Sequence, residues 1–303
     1  MTGNCGRRRA WFCGLLAACL PAIGGTACAA DYDLKPNIEY AAPGGTKLLL
    51  DAYVPKAAGP FPAVLVVHGG AWRMGSKTQL AHIARRLAGH GYAAFAINYR
   101  LAPKHKFPAQ VEDCRAAVRW IADHAKEYKA DASRLGAFGY SAGGHLVAML
   151  AAQGVEHEAG GKKRTVRLKA VAAGGAPCDF RAIPEDTKAL AFWLGGTRGQ
   201  KPEPYAAASP AAFVTAESSP VFFFHGEADR VVRPALARAM YDALRRAKVE
   251  TTFHQVPRAG HLLAAMNRLA LTEAVQFLDK HLKGSPEPTS KNKRGASQQV
   301  PPA

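Results

Sequence analysis

Short apolar runs alternate with longer amphipathic runs along residues 31–283 of this 303-residue chain. The short runs have the length and the β-branched or aromatic content of strands, while the longer runs repeat apolar residues at helical spacing. Strands that are apolar throughout are buried on both faces, which is typical of parallel sheets with helical crossovers. The alternation predicts an α/β fold with a mainly parallel sheet, helices on both faces and an antiparallel N-terminal hairpin.

The predicted strands cover residues 38–40, 47–54, 63–67, 93–98, 135–140, 168–173, 221–224 and 251–256, and the predicted helices cover residues 77–89, 109–128, 142–153, 234–248 and 263–282.

Residues 1–30 have the composition of a secretory signal peptide and are predicted to lie outside the fold. Three arginines at positions 7–9 precede an apolar run too short to span a membrane, and small residues follow up to Ala30. We expect cleavage before Asp31 and a periplasmic or secreted protein, with residues 31–283 forming one folded domain and residues 284–303 a disordered basic, Pro-rich tail. Two alternatives for the signal stay open: Arg8-Arg9 resembles a twin-arginine signal, and the run ending at Cys19 resembles a lipoprotein cleavage site.

Charge and cysteine usage exclude several classes of protein. Residues 31–283 hold 34 basic and 22 acidic side chains, a net charge of +12. The basic cluster at 162–169 is interpreted as a solvated surface loop, with attraction to an acidic polymer or anionic envelope surface as the alternative. Only Cys114 and Cys178 lie beyond the predicted signal, so no disulfide framework is expected. No ligand spacing suggests a metal, and we expect no cofactor and no nucleic-acid partner.

The stretch 139–143 reads G-Y-S-A-G and lies between a predicted strand and a predicted helix. A turn this tight strains its central residue and lifts the side chain of Ser141 away from the backbone. The first amide groups of the new helix and the helix dipole favour negative charge beside that serine. Ser141 is therefore a candidate nucleophile for a reaction that forms an oxyanion.

A serine nucleophile needs a base, which in turn needs an acid to orient it. Asp229 follows the strand 221–224 and His261 follows the strand 251–256, so both lie at the carboxyl edge of the sheet with Ser141. Glu227 is the alternative acid, two residues nearer the strand. His68, His145, His225 and His254 are interpreted as structural because of their positions within strand ends or helices.

Backbone N–H donors for an oxyanion are predicted at Ala142, directly after the nucleophile, and at Gly70 and Ala71 in the loop H-G-G-A-W that follows the first parallel strand. His68 is expected to hold this loop by hydrogen bonds.

The motifs in their order resemble the α/β-hydrolase esterase and lipase group over residues 38–282, through the stretches HGGAWRMGSK, INYRLAP, FPAQVEDCRAAVRW, FGYSAGGHL, FWLGG, YAAASP, HGEADRVV and RAGH. The likeness is greatest to a bacterial branch with an HGG-x-W motif, which includes xylan- and feruloyl-ester-cleaving enzymes. It implies the same roles for Ser141, Asp229 and His261. Two residues depart from related patterns: Ala71 stands where HGGG lipases have a third glycine, and Tyr140 stands where an acidic residue is common.

The residues and the resemblance together predict an exported serine hydrolase that cleaves small or polysaccharide-linked esters through an acyl-enzyme. Residues 179–220 can supply a small lid, and the start of the fold leaves no room for a large N-terminal cap. Trp72, Tyr140 and Phe192 are the candidate substrate-binding residues, although Phe192, Trp193 and Tyr205 equally suit a local core. An amidase or arylformamidase of the same fold and a non-catalytic binding module are the alternatives, and the oligomeric state stays open.

Overall fold

An eight-stranded mixed sheet forms the centre of the protein, whose computed structural model describes residues 31–284. In chain order its strands are β1 (Tyr32–Ala41), β2 (Leu48–Pro55), β3 (Phe61–Val67), β4 (Ala93–Ile97), β5 (Ala130–Tyr140), β8 (Val171–Gly174), β9 (Val221–Gly226) and β10 (Thr251–Val256), while a separate hairpin holds β6 (Val155–Ala159) and β7 (Lys162–Val166). The order across the sheet is β1-β2-β4-β3-β5-β8-β9-β10. The pairs β1/β2 and β2/β4 are antiparallel, and the other pairs are parallel.

Eight helices complete the described part of the chain: α1 (Ala81–Gly89), α2 (Ala109–His124), α3 (Ala142–Gln153), α4 (Ala191–Leu194), α5 (Pro202–Ala207), α6 (Pro234–Arg246), α7 (His261–Ala265) and α8 (Arg268–Leu282). Side chains of α2, α3 and α6 form one buried cluster, and those of α1 and α8 form a second. Along β3, Leu65 and Val67 belong to the first cluster whereas Val64 and Val66 belong to the second. The sheet is therefore buried on both faces, and the predicted α/β-hydrolase fold is confirmed.

Several predicted segments differ from the structure. The strand predicted at 38–40 extends over Tyr32–Ala41, and the ends of the helices predicted at 77–89 and 109–128 are partly 3₁₀ helix, at Lys77–Leu80 and Ala125–Tyr128. Two differences are larger. The helix expected over 263–282 is broken into α7 and α8, because the side chain of Asn267 caps α8 by accepting a hydrogen bond from the backbone N–H of Ala270 at 2.9 Å. The basic segment expected as a loop is instead the strand β7, paired with β6 through a turn at Gly160-Gly161 whose φ angles are +58° and +73°. Two left-handed glycines permit the tight turn that closes such a hairpin.

Between residue 31 and β3 the described chain holds β1, β2 and one turn of 3₁₀ helix at Pro43–Gly45. No helix within residues 31–284 is both long and apolar enough to cross a membrane. The predicted signal and tail lie outside these residues, apart from Gly284.

The start of α3 packs directly against the end of β3. A Cβ atom added at Gly143 would overlap the carbonyl oxygen of Val67. Only glycine allows this approach, since both contacting groups are backbone atoms that cannot move aside. The contact places the first turn of α3 beside the loop that follows β3.

Candidate active site

Ser141 occupies the turn between β5 and α3 with φ +57° and ψ −120°. This left-handed conformation is uncommon for a residue with a Cβ atom and is typical of strained functional turns. Hydrogen bonds hold the turn on both sides: the Ser141 N–H donates to the Gly174 carbonyl at 2.8 Å, and the Ser141 carbonyl accepts from the His145 N–H at 2.9 Å. The turn therefore holds the half-buried hydroxyl at the carboxyl edge of the sheet.

Three side chains predicted from the sequence meet at this edge. The Oγ atom of Ser141 lies 2.9 Å from Nε2 of His261, and Nδ1 of His261 lies 2.6 Å from Oδ2 of Asp229. Asp229 comes from the loop after β9, and His261 is the first residue of α7, after β10. The carboxylate beside Nδ1 favours the tautomer in which Nδ1 carries the hydrogen, so Nε2 is free to accept the serine proton.

The carboxylate of Asp229 is buried and held by several donors. Its Oδ1 atom accepts the backbone N–H groups of Val231 and Val232, each at 2.9 Å. Nε2 of His225 lies 3.2 Å from Oδ2 and 2.8 Å from the Val232 carbonyl. Burial lowers the pKa of His225, which favours its neutral form beside the carboxylate. These contacts orient Oδ2 toward His261.

Glu227, the alternative acid, does not take part in this arrangement. Its side chain is exposed, and its Oε2 atom accepts the backbone N–H of Arg258 at 2.9 Å.

The loop after β3 lies directly against the nucleophile turn. A Cβ atom added at Gly69 would lie 3.2 Å from Cβ of Ser141. Gly70, Ala71 and Trp72 have φ angles of +109°, +51° and +58°, so the backbone is left-handed over three successive residues. The N–H groups of Gly70 and Ala71 donate no hydrogen bond to any atom of residues 31–284. Ala142, at the first position of α3, likewise lacks an intrahelical acceptor for its N–H, so all three predicted donors are available beside Ser141.

A stacked pair of tryptophan rings holds this strained loop against the rest of the fold. The ring of Trp72 lies parallel to that of Trp193 from α4, with 3.8 Å between the ring centroids and 3° between the planes. The Trp72 Nε1–H donates to Nδ1 of His145 at 3.3 Å, and the His145 Nε2–H donates to the Ala208 carbonyl at 2.7 Å. Trp193 is itself held by a 2.9 Å hydrogen bond from its Nε1–H to Gln110. The stack ties the loop to α3 and to the insertion 179–220.

Two cavities open on either side of Ser141, and Ala71 and Val231 border both of them. The first, of about 540 Å³, lies on the His261 side. Its lining is mostly apolar, with Met74, Leu80, Ile83, Tyr140, Leu262 and Met266, although Gln79 and His82 also line it. The second, of about 440 Å³, lies on the Ala142 side and is lined by Trp72, Phe180, Ile183, Leu190, Arg230 and Arg233 among others. An ester bound at Ser141 therefore has separate space for its two halves.

The candidate substrate-binding residues are only partly in these cavities. Tyr140 lines the first cavity, and its hydroxyl donates to the backbone carbonyl of His261. Trp72 reaches the second cavity with one edge but is mostly buried in the stack. Phe192 lines neither cavity: α4 turns Trp193 inward and leaves Phe192 against the guanidinium of Arg73, 5.4 Å from the ring centroid. Trp193 and Tyr205 are fully buried, as expected for a local core.

Sequence reasoning missed most of the lining residues. Val231 lies two residues after Asp229, and Leu262 directly follows His261. Their nearness to predicted site residues was a signal that could have identified them as lining residues. Ile83 and Ile183 come from distant segments that only the tertiary structure brings to the cavities.

A strained serine turn, its His and Asp partners and a mixed eight-stranded sheet together define an α/β-hydrolase. The family model described as BD-FAE matches residues 50–244, and the chain belongs to the BD-FAE family. This confirms the resemblance to α/β-hydrolase esterases stated from the sequence.

Comparisons with individual proteins agree with this family. Esterase LipC of Mycobacterium tuberculosis (strain ATCC 25618 / H37Rv) is 30% identical over 213 residues, which are 67% of this chain and 53% of LipC. The chain thus spans about half the length of that curated relative. The butyrate-bound esterase Est2 of Thermogutta terrifontis is 26% identical with a TM-score of 0.68, over 84% of this chain and 94% of Est2. A truncated carbohydrate esterase from gut microbiota has a TM-score of 0.74 over 85% of this chain and 99% of its own, and at 23% identity it shows the fold alone.

Replacement of Trp193 by Leu is expected to lower kcat for a soluble ester about tenfold with little change in KM. The stack then no longer holds the left-handed loop, and misplaced oxyanion donors weaken binding of the transition state more than of the substrate. Steady-state kinetics check this. Trp120→Leu is the matched control, because Trp120 packs against Phe95 and Tyr128 away from the site. An unchanged kcat in Trp193→Leu would show that the stack serves stability only.

Acidification is expected to destabilise the fold through two buried histidines. Burial lowers the pKa of His68 and of His145 to about 4, below the 6.5 of an unfolded chain. Between these values the unfolded state binds more protons, so the free energy of unfolding falls as pH falls from 6.5 toward 4, by on the order of 3 kcal/mol for each histidine.

Urea unfolding at pH 7.5 and about pH 4.5 measures this effect. Because titrating carboxylates also contribute, the comparison is between the wild type and His145→Gln. The variant is expected to lose less stability on acidification, and an equal loss in both proteins would rule out a role for His145.

Proposed function

We propose that this protein is a serine hydrolase that cleaves carboxylic esters through an acyl-enzyme formed on Ser141. The observation that carries the proposal is the continuous hydrogen-bonded series Ser141–His261–Asp229, with distances of 2.9 Å and 2.6 Å, at the junction of two cavities. The esterases LipC and Est2, to which the chain is similar, support the same reaction class.

In the first half-reaction Oγ of Ser141 attacks the ester carbonyl carbon while Nε2 of His261 takes the hydroxyl proton. The carbonyl oxygen becomes an oxyanion, for which the N–H groups of Gly70, Ala71 and Ala142 are the available donors. The positive charge on His261 is balanced by the buried carboxylate of Asp229. When the intermediate collapses, the bond to the alcohol oxygen breaks and His261 returns its proton to that oxygen.

In the second half-reaction a water molecule replaces the alcohol. His261 accepts one proton from the water, the hydroxide adds to the acyl carbon, and collapse releases the carboxylic acid as the proton returns to Oγ of Ser141. Both proton transfers use the same nitrogen. The leaving alcohol must therefore lie within hydrogen-bond reach of His261, which assigns the alcohol to the first cavity and the acyl group to the second.

Ser141→Ala and His261→Ala are each expected to lower kcat/KM for a short-chain p-nitrophenyl ester by about 10³-fold or more. The double variant is expected to be little worse than either single variant, because the two residues act in one proton transfer. Ser133→Ala and His90→Ala, which change exposed residues far from the site, serve as matched controls.

A fluorophosphonate probe separates catalysis from a pure binding role. It should label the wild type and fail to label Ser141→Ala. Equal labelling of both proteins, or additive losses in the double variant, would contradict the proposed mechanism. A matched ester and anilide of the same acyl group, assayed side by side, decide between an esterase and an amidase.

We also propose that the protein is exported, with residues 1–30 removed as a signal and the mature chain beginning at Asp31. The support is the run of Arg7–Arg9, the short apolar segment and the small residues up to Ala30. Expression of the full chain in a Gram-negative host should give periplasmic protein with Asp31 at its N-terminus, as read by mass spectrometry. Protein that keeps Met1 and stays in the cytoplasmic fraction would contradict export, and a lipid-modified Cys19 would indicate a lipoprotein.

A further inference from the structure

The mouth of the first cavity is unusually apolar for a surface in contact with water. Within residues 31–284 seven large apolar side chains are exposed, and six of them lie on or next to this mouth: Met74, Val231, Leu262, Leu263, Met266 and Leu269. Leu262, Leu263 and Met266 are 76%, 68% and 73% exposed. We call these six residues the apolar rim. The seventh side chain, Leu34, lies on the edge strand β1.

A substrate pocket alone does not account for the whole rim. Met74, Val231, Leu262 and Met266 line the cavity, but Leu263 and Leu269 line neither cavity. Both are exposed and lie close in the chain to lining residues, Leu263 next to Leu262 and Leu269 three residues after Met266. Leu263 lies on α7 and Leu269 on α8, on either side of the break at Asn267. Contiguous exposed apolar patches are rare on soluble proteins and mark interaction surfaces.

The charges around the rim are predominantly positive. Arg73 and Arg230 adjoin Met74 and Val231 in the chain, and Arg268 lies between Met266 and Leu269. All three are exposed, and none forms an ion pair with a carboxylate anywhere in residues 31–284. Arg258, which is also exposed and likewise unpaired there, precedes His261 by three residues. Exposed apolar side chains next in the chain to arginines that pair with no carboxylate are complementary to a surface with an apolar interior and an anionic outer layer.

We propose that the apolar rim docks the protein on an anionic lipid layer, with the open mouth of the first cavity facing the lipid. A protein partner seated on the rim would seal the cavity from substrate, whereas a lipid layer can supply substrate through it. A surface that binds a polysaccharide is expected to expose aromatic rings, whereas the apolar rim contains only Leu, Met and Val. The further step, in which the docked lipid also provides the ester substrate, rests on the proposed function. The docking itself does not.

Sedimentation with vesicles of phosphatidylcholine containing about one third phosphatidylglycerol tests the docking. The wild type is expected to bind these vesicles at low salt and to bind pure phosphatidylcholine at least tenfold more weakly. Binding should weaken as the salt concentration rises, because the arginine contribution is screened. Ser141→Ala should bind as the wild type does, so a failure of docking and a failure of catalysis give different results.

The variant Leu263→Ser/Leu269→Ser is expected to bind at least tenfold more weakly than the wild type, with Leu34→Ser as the matched control. For the charges, Arg258→Asn/Arg268→Ser should lower affinity for anionic vesicles by about fivefold for each arginine. Asn is chosen at residue 258 because its φ is +55°. Lys163→Ser/Arg164→Ser on the β6–β7 hairpin is the matched charge control. Thermal unfolding confirms that each variant is folded.

Four outcomes would overturn the proposal. The first is no binding of the wild type to anionic vesicles at low salt. The second is an equal loss in Leu34→Ser and in the rim variant. The third is a loss confined to the hairpin variant, which would place the anionic contact on β7. Sedimentation with an insoluble acetylated polysaccharide but not with vesicles would likewise replace the lipid by a carbohydrate surface.

Discussion

The contact between the first turn of α3 and the end of β3 leaves no room for a side chain at residue 143, and the side chains proposed as catalytic take their positions from it. The same contact brings Gly69 against Ser141. The proposed nucleophile and the loop with the free N–H groups are therefore held in a fixed relative position. Asp229 and His261 reach Ser141 because β9 and β10 run parallel to β5 and end at the same edge. Backbone packing, rather than any pair of side chains, thus brings Ser141, His261 and Asp229 together.

The insertion 179–220 has a structural role that its position in the chain does not suggest. Through Trp193 it carries a ring that stacks on Trp72, and through the Ala208 carbonyl it fixes the tautomer of His145, which in turn accepts the Trp72 N–H. A left-handed backbone over three residues is costly. The buried stack and its two hydrogen bonds stabilise that backbone where a third glycine is absent.

The two sides of the active site differ in chemistry. On the His261 side the cavity is mostly apolar and opens through the apolar rim, while on the Ala142 side the lining includes Arg230 and Arg233. Under the proposed mechanism, the alcohol half of the ester would be apolar, and the acyl half would be smaller and more polar. The proposed docking adds that the mouth of the first cavity would receive this substrate from a lipid layer.

The sequence by itself determined the α/β class, the strand-to-helix turn at Ser141 and the identities of its partners, because parallel strands of alternating βα units end at one edge of a sheet. From the sequence, Trp193 and Tyr205 suited either the substrate pocket or a local core, and in the structure both are buried in a local core. The sequence could not decide which aromatic rings line the cavities: Phe192 and Trp193 are neighbours in the chain, and only the packing of α4 against Trp72 turns one inward and the other outward. The apolar rim was likewise decided by tertiary structure. Its residues come from two loops and a broken helix. Exposure of a leucine at a helical position depends on what packs against it, which sequence periodicity does not record.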